Sequence, residues 1–296
     1  PCRVTRMPFY SPLRYPGGKR KLARFVQSLI EENGYSHVAF VELFAGGAAV
    51  ALHLLFETSV PRVAINDLDP SIHAFWLVAR DHNEELCRRI SSVRIDMDEW
   101  NRQRSVQLAM DPDLIDLAFS TLFLNRTNRS GILHAGVIGG KQQSGQWKMT
   151  VRFNRDALIS RIECIGRQAH RIDVRRQDAA DVLRILGEQD APSFLFLDPP
   201  YYHKADRRLY HNDLRPDDHE RVAMLLKSLK VPWLLCYDDC SEVRNLYTSH
   251  IPNSYSLCYT AGEKRSGSEV LFVSPNLRIP SIEGRHRVAF RLHASV

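Results

Sequence analysis

The chain has no CxxC pair, although it carries six cysteines, at positions 2, 87, 164, 236, 240 and 258. Their uneven spacing argues against a disulfide framework and a zinc site. Reduced thiols in a cytoplasmic setting are the expectation. The segment "CYDDC" (236–240) reads as two strand-end cysteines rather than a metal loop, and no metal is expected. No apolar run approaches the ~20 residues of a membrane helix. The opening "PCRVTRMPFY" has no apolar signal core, so neither a membrane partner nor secretion is expected. Internal repeats, low-complexity tracts and the GxGxxG dinucleotide fingerprint are also missing. The last absence makes NAD a poorer candidate than a mononucleoside-type cofactor.

What is present is a chain of 296 residues, 44% hydrophobic and 25% charged, ordinary for a globular protein. That length suits one large domain or two smaller ones. The net charge is +6, with a pI near 9.1. A basic balance permits a polyanionic partner without requiring one. Arginine is concentrated at 102–104, 126–129, 152–155, 161–176 and 204–215. Several such clusters near Gly-rich loops favour phosphate contact over a merely solvated surface.

Apolar runs alternate with helical periodicity. "HVAFVELF" (37–44) and "RVAIND" (62–67) read as strands, each followed by a helix-like segment. The helical pattern after the second strand, "PSIHAFWLVARDHNEELCRRI", is continuous. The alternation resumes at "RIDVRR" (171–176), continues through "SFLFLD" and "PWLLCYD", and ends on "SYSLCYT" and "SEVLFVS". These are seven strands of an α/β sheet of the doubly wound, Rossmann-like kind. Residues 71–168 differ. They are mostly helical and include one long irregular stretch, 127–154, of a length usually reserved for function. The expected organisation is a discontinuous catalytic domain (1–70 and 169–280), an inserted recognition domain (71–168) and a C-terminal tail (281–296).

"VELFAGGAAV" places Gly46 and Gly47 where the first strand turns into a helix, a geometry that lets backbone approach a ligand. Asp67 ends the second strand, at a spacing that suits a ribose diol or, equally, a helix N-cap. "DPPY" (198–201) is far more specific. By composition it arises in roughly one chain in a thousand of this length. It ends a parallel strand, where open α/β sheets bind ligands. Proline stiffens the turn and removes an N–H. Asp198 and the Pro199 carbonyl then offer two acceptors to an exocyclic amine, and Tyr201 offers a ring to an extruded base.

With these motifs the sequence resembles the Dam-like family of adenine-N6 DNA methyltransferases over most of residues 11–273. "LRYPGGKRKL" is similar to the family's Gly-Gly-Lys motif, "VELFAGGAAV" to its cofactor motif and "INDLDP" to its acidic motif. "FLNRTNRSGI" resembles its Asn-Arg recognition segment, "DPPY" its catalytic tetrad and "CYDDCSEVRNLY" its late strand and helix. The resemblance implies a seven-stranded methyltransferase sheet with a helical target-recognition insertion, acting on double-stranded DNA with S-adenosyl-L-methionine. It implies catalytic roles for Asp198, Pro199, Pro200 and Tyr201. Cofactor contacts would come from Tyr15, Gly17, Gly18, Lys19, Phe44, Gly46, Gly47, Asp67, Asp178 and Asp198. DNA contacts would come from Arg14, Lys19, Asn125, Arg126, Arg129 and His134. Arg129 stands where GATC-methylating members carry an aromatic, and His134 where they carry an arginine. A histidine cannot copy the two-pronged arginine–guanine contact, worth ~1–3 kcal/mol, so GATC is not the expected site. A cognate restriction enzyme is a candidate partner, and a monomer or weak dimer is expected. Cytosine-N4 methylation, RNA adenine methylation and a catalytically inactive DNA-binding relative remain the alternatives.

Overall fold

The computed structural model describes residues 9–15, 17, 19–188, 192–202, 214–257, 269–280 and 290–293. Gly18, most of the 204–215 arginine cluster and the expected turn at 261–267 lie outside them.

A 3-10 turn (Lys19–Leu22) leads into α1 (Ala23–Glu32), a helix not among the expected elements, which buries Phe25, Val26, Leu29 and Ile30 along one face. β1 (Ala39–Glu42), α2 (Ala49–Glu57) and β2 (Val63–Asn66) follow. α3 (Pro70–Asp81) starts sharply, because the Asp69 carboxylate accepts the Ser71 and Ile72 N–H groups and Pro70 sits in the first turn. The continuous helix expected here breaks at His82 (φ −129°, ψ 36°), and α4 (Asn83–Ser92) begins. α5 (Met97–Leu108) and α6 (Leu114–Thr127) are capped by Asp96 and Asp113. Two 3-10 turns, Arg129–Gly131 and Met149–Arg152, punctuate the irregular stretch before α7 (Arg155–Arg167).

The second half alternates β3 (Ile172–Arg175), α8 (Ala179–Glu188), β4 (Ser193–Leu197), α9 (Pro216–Ser228), β5 (Trp233–Asp238) and α10 (Ser241–Leu246). β6 (Asn253–Leu257), β7 (Glu269–Val273) and β8 (Phe290–His293) complete the sheet. Its order is β3-β2-β1-β4-β5-β7-β6-β8. β3 to β5 run parallel, and β7, β6 and β8 pair antiparallel. All seven expected strands are present. The eighth comes from the segment expected as a tail, with Leu257 opposite Phe290.

The parallel strands are apolar because helices cover both faces. Phe40, Phe194 and Phe196 point to one face, with Phe40 stacked 6.3 Å from each of the other two rings. Val41, Leu195 and Leu197 point to the other, toward α8 and α9. Burying each such side chain contributes ~1.5–3 kcal/mol. Trp100, Phe119, Phe123, Met149 and Phe153 of the helical region share one core with Phe40 and Phe194. β1 pairs with β2 on one side and β4 on the other. Strand order therefore reverses between β1 and β4, and a crevice opens at their C-terminal ends.

Candidate active site at the sheet's switch point

That crevice is a cavity of about 570 Å³, within the ~300–1,000 Å³ typical of small-molecule sites. Phe44, Gly47, Asp67 and Asp178 line it, as do Asp198 to Tyr201, Arg14 and Tyr15 of an N-terminal strap (residues 9–15), and Gly17 and Lys19.

The loop after β1 is shaped for close approach. Gly46 has φ +46°, and an added Cβ would lie 2.6 Å from the Tyr15 ring, so only glycine fits beneath that tyrosine. The Trp76 indole N–H binds the Gly46 carbonyl at 2.8 Å and fixes the turn from α3. Asp67, half-buried, accepts the Gly46 N–H through Oδ2 (2.7 Å) and the Asp69 N–H through Oδ1 (3.0 Å). Each oxygen keeps a lone pair for a hydroxyl in the cavity. Burial pushes its carboxyl above the usual carboxylate range, with the two N–H donors acting against that shift. Asp178 caps α8 through the Ala180 N–H (3.0 Å) and pairs with Arg221 of α9 at 3.2 Å.

At the end of β4 the catalytic candidates meet a buried polar cluster. Lys19, only 3% exposed, places Nζ 2.9 Å from Asp198 Oδ1 and 3.7 Å from Glu269 Oε2. The same ammonium donates to the Tyr201 hydroxyl at 2.5 Å and to the Gly17 carbonyl at 3.2 Å. Burial alone would depress a lysine, but Asp198 and Glu269 outweigh it and hold the ammonium charged. Lys19 also lies 4.8 Å from the Tyr201 ring centroid. The Tyr255 hydroxyl donates to Glu269. The Tyr202 N–H, directly after the motif, is bound by Asp238 of β5 at 3.0 Å. With two prolines unable to donate, this bond pins the far end of the loop.

Glu42, 4% exposed at the end of β1, accepts the Ala51 N–H at 2.8 Å. Burial pushes its carboxyl up to about 8, and the nearby Asp198 charge adds to the shift. A glutamic acid kept protonated at the cavity wall can donate as well as accept.

Residues 15–260 match a known family, the D12 class N6 adenine-specific DNA methyltransferases. The chain belongs to that family. A similar protein is the type II methyltransferase M.MjaIII of Methanocaldococcus jannaschii, 24% identical over 236 residues, which cover 73% of this chain and 79% of that protein.

Against that family's motifs, the structure of this methyltransferase rearranges the residues expected at DNA. Arg14 lines the cavity. Lys19 does not reach the surface; it lies under Asp198. Asn125 is 1% exposed and spans two segments: its amide binds the Arg14 and Gly131 carbonyls at 2.8 Å, and its Oδ1 takes the Arg14 N–H at 2.7 Å. Arg126 is buried and donates twice to the Pro12 carbonyl, at 2.7 Å through Nε. Both therefore hold the strap in place rather than present polar groups to a duplex. Sequence periodicity could not reveal this, because the strap acceptors, the Arg14 and Pro12 carbonyls, are 111 and 114 residues away. Arg129 is exposed and its guanidinium covers Gly136, where a Cβ would come within 2.5 Å. His134 is exposed on the same loop.

Glu42, Trp76, Asp238, Tyr255 and Glu269 were not among the expected site residues. Two carried a signal: "VELF" and "CYDD" both end apolar strands on acids beside the motif strand. Glu269 and Tyr255 carried none, since neighbouring antiparallel strands bring them together.

Proposed function

We propose that this enzyme moves a methyl group from S-adenosyl-L-methionine to N6 of an adenine swung out of duplex DNA. The observation that carries the reading is Asp198 at the cavity floor, with Oδ1 held 2.9 Å from the Lys19 ammonium. Asp198, so positioned, and the Pro199 carbonyl are two acceptors for the N–H groups of an amine.

The cavity fits the proposed donor. Asp67 has acceptor capacity for ribose hydroxyls, the Gly47 backbone lines the cavity while Gly46 lies beneath Tyr15, and Phe44 and Ala179 supply apolar wall. When bound, the donor supplies an electrophilic methyl on a cationic sulfur. The chain's own groups act on the amine. Two acceptors draw its hydrogens into one plane and free the nitrogen lone pair to form the N–C bond, as the C–S pair returns to sulfur. A carboxylate is a weak base, so the proton leaves with or after the methyl. Alignment supplies most of the rate. The Tyr201 ring borders the space where an extruded base would lie, with its hydroxyl tied down by Lys19.

Recognition of a sequence other than GATC follows from Arg129 and His134. A cognate restriction enzyme is the partner that this reading would pair with it. The deciding experiment uses tritiated S-adenosyl-L-methionine with unmethylated genomic DNA and, separately, RNA, followed by nucleoside analysis and single-molecule sequencing of the DNA product. N6-methyladenine confined to one short motif is expected. Label in RNA or in N4-methylcytosine, or no label, would overturn the reading.

A further inference from the structure

The N-terminal strap, residues 9–15, is surrounded by five arginines from separate parts of the chain. Arg14 lies in the strap itself, and Arg20 in the 3-10 turn after it. Arg126 comes from α6, Arg152 from the second 3-10 turn of the irregular stretch and Arg161 from α7. None of the five forms an ion pair with a carboxylate among the described residues. Several arginines elsewhere do pair: Arg80 with Asp81 at 2.7 Å, Arg175 with Asp173 at 2.6 Å, Arg221 with Asp178 at 3.2 Å and Arg244 with Asp239 at 2.6 Å.

The five lean on one another instead. Burial first, and then Arg161, Arg14 and Arg152, push Arg126 below the usual arginine range. Burial and Arg152 lower Arg14, and burial and Arg20 lower Arg161. Like charges gathered without counter-charge carry a repulsion that an anion would relieve. The geometry is also pre-set. Phe9 is gripped between Arg20 (4.2 Å to the ring centroid) and Arg161 (5.7 Å). Arg161 binds the Ser11 carbonyl through Nη1 at 3.3 Å, and its buried Nε has no hydrogen-bond partner among the described residues. Arg14, Arg20, Phe9 and Ser11 all line the cavity. Arg126 and Arg161 are not part of that lining but bind the same strap at Pro12 and Ser11, so the cluster flanks the strap at the cavity's edge.

We propose that Arg14, Arg20, Arg152 and Arg161 form a clamp for phosphodiester groups, which grips the nucleic-acid backbone beside the nucleotide that enters the cavity. Arg126, spent on the Pro12 carbonyl, braces the strap and adds charge. A single ligand carboxylate cannot neutralise four guanidiniums, whereas successive phosphates can. The site rests on the proposed function and deepens it, by locating where the backbone is held while the base leaves the stack.

The test compares wild type, Arg152→Gln/Arg161→Gln and Arg20→Gln/Arg152→Gln. Arg20 and Arg152 are exposed, so the second pair is readable even where the first unfolds. Affinity for a duplex oligonucleotide is titrated across salt, and S-adenosyl-L-methionine binding is followed by calorimetry. The slope of log affinity against log salt should fall by about one for each arginine removed, with cofactor binding unchanged. Arg94→Gln, at an exposed arginine paired with Asp96 at 3.6 Å, serves as the control and should keep the wild-type slope. An unchanged slope in a folded double variant overturns the clamp. So does an equal loss in the control, or a loss of cofactor binding with DNA affinity intact. The functional reading fails separately, when wild type binds duplex with this salt dependence yet never methylates it.

Discussion

On the cavity floor, four carboxylates stand at or just beyond strand ends, each with partners of its own; around the rim, five arginines gather with no carboxylate among the described residues. Glu42 has the Ala51 N–H, Asp67 the Gly46 and Asp69 N–H groups, Asp178 the Ala180 N–H and Arg221, and Asp198 the Lys19 ammonium. The floor is electrostatically settled before any ligand arrives. The rim is not, and its counter-charge has to come from outside. In this protein, precision and attraction are separate tasks given to separate elements. Rigid strand ends hold acceptors for neutral donors, while a strap and four helical segments hold cations for a polyanion.

Four changes to the floor break or sharpen that contrast. The largest effect is expected from Asp198→Ala, which removes the anchored acceptor. Methyl transfer in a single-turnover tritium assay should fall by roughly 10³-fold or more, with duplex affinity retained. Turnover near wild type would mean that the floor does not perform the chemistry.

Next is Lys19→Ala, which leaves Asp198 and Glu269 buried beside each other without their cation. Breaking a buried ion pair costs about 3–5 kcal/mol, to be read from urea unfolding. A loss below ~1 kcal/mol would show that the floor is not settled by Lys19.

Asp67→Ala removes carboxyl acceptors whose hydrogen bonds are worth ~0.5–1.5 kcal/mol each. Calorimetry should then show cofactor affinity reduced by about ten- to a hundredfold, with DNA affinity untouched. Weakening of both ligands together would mean that floor and rim are coupled.

Glu42→Gln has the smallest effect, and it depends on pH. Glu42 titrates at about 8 in the folded protein and near ~4.3 when unfolded. Between those values the folded state holds a proton that the unfolded chain has released, so wild-type stability falls as pH rises through that window. The glutamine variant should lose this slope, seen as unfolding midpoints at pH 5.5 and pH 8. Identical slopes would place an ionised Glu42, and more negative charge, on the floor.

Much of this arrangement is legible along the chain. The motif strand shows itself because a strand buried on both faces must be an apolar run, and Asp-Pro-Pro-Tyr closes it abruptly. Asp67 shows itself by its distance from Gly46. The break at His82 is not legible, because apolar periodicity continues across it from Trp76 to Leu86 and Ile90. Asn125 and Arg126 looked like surface contacts because their residue types are those of nucleic-acid readers. Burial against Arg14, Gly131 and Pro12 gives them a different task.

The sequence by itself determined seven strands of the sheet, the motif that closes one of them and the family, since each rests on neighbours within a few residues and on the periods of helix and strand. Only the tertiary structure decided that Lys19, Asp198, Tyr201, Glu269 and Tyr255 form one buried polar cluster, and that Arg14, Arg20, Arg126, Arg152 and Arg161 form one unpaired rim. The reason is physical. Charges act through space over several ångströms, and only folding brings groups from distant parts of the chain within that reach.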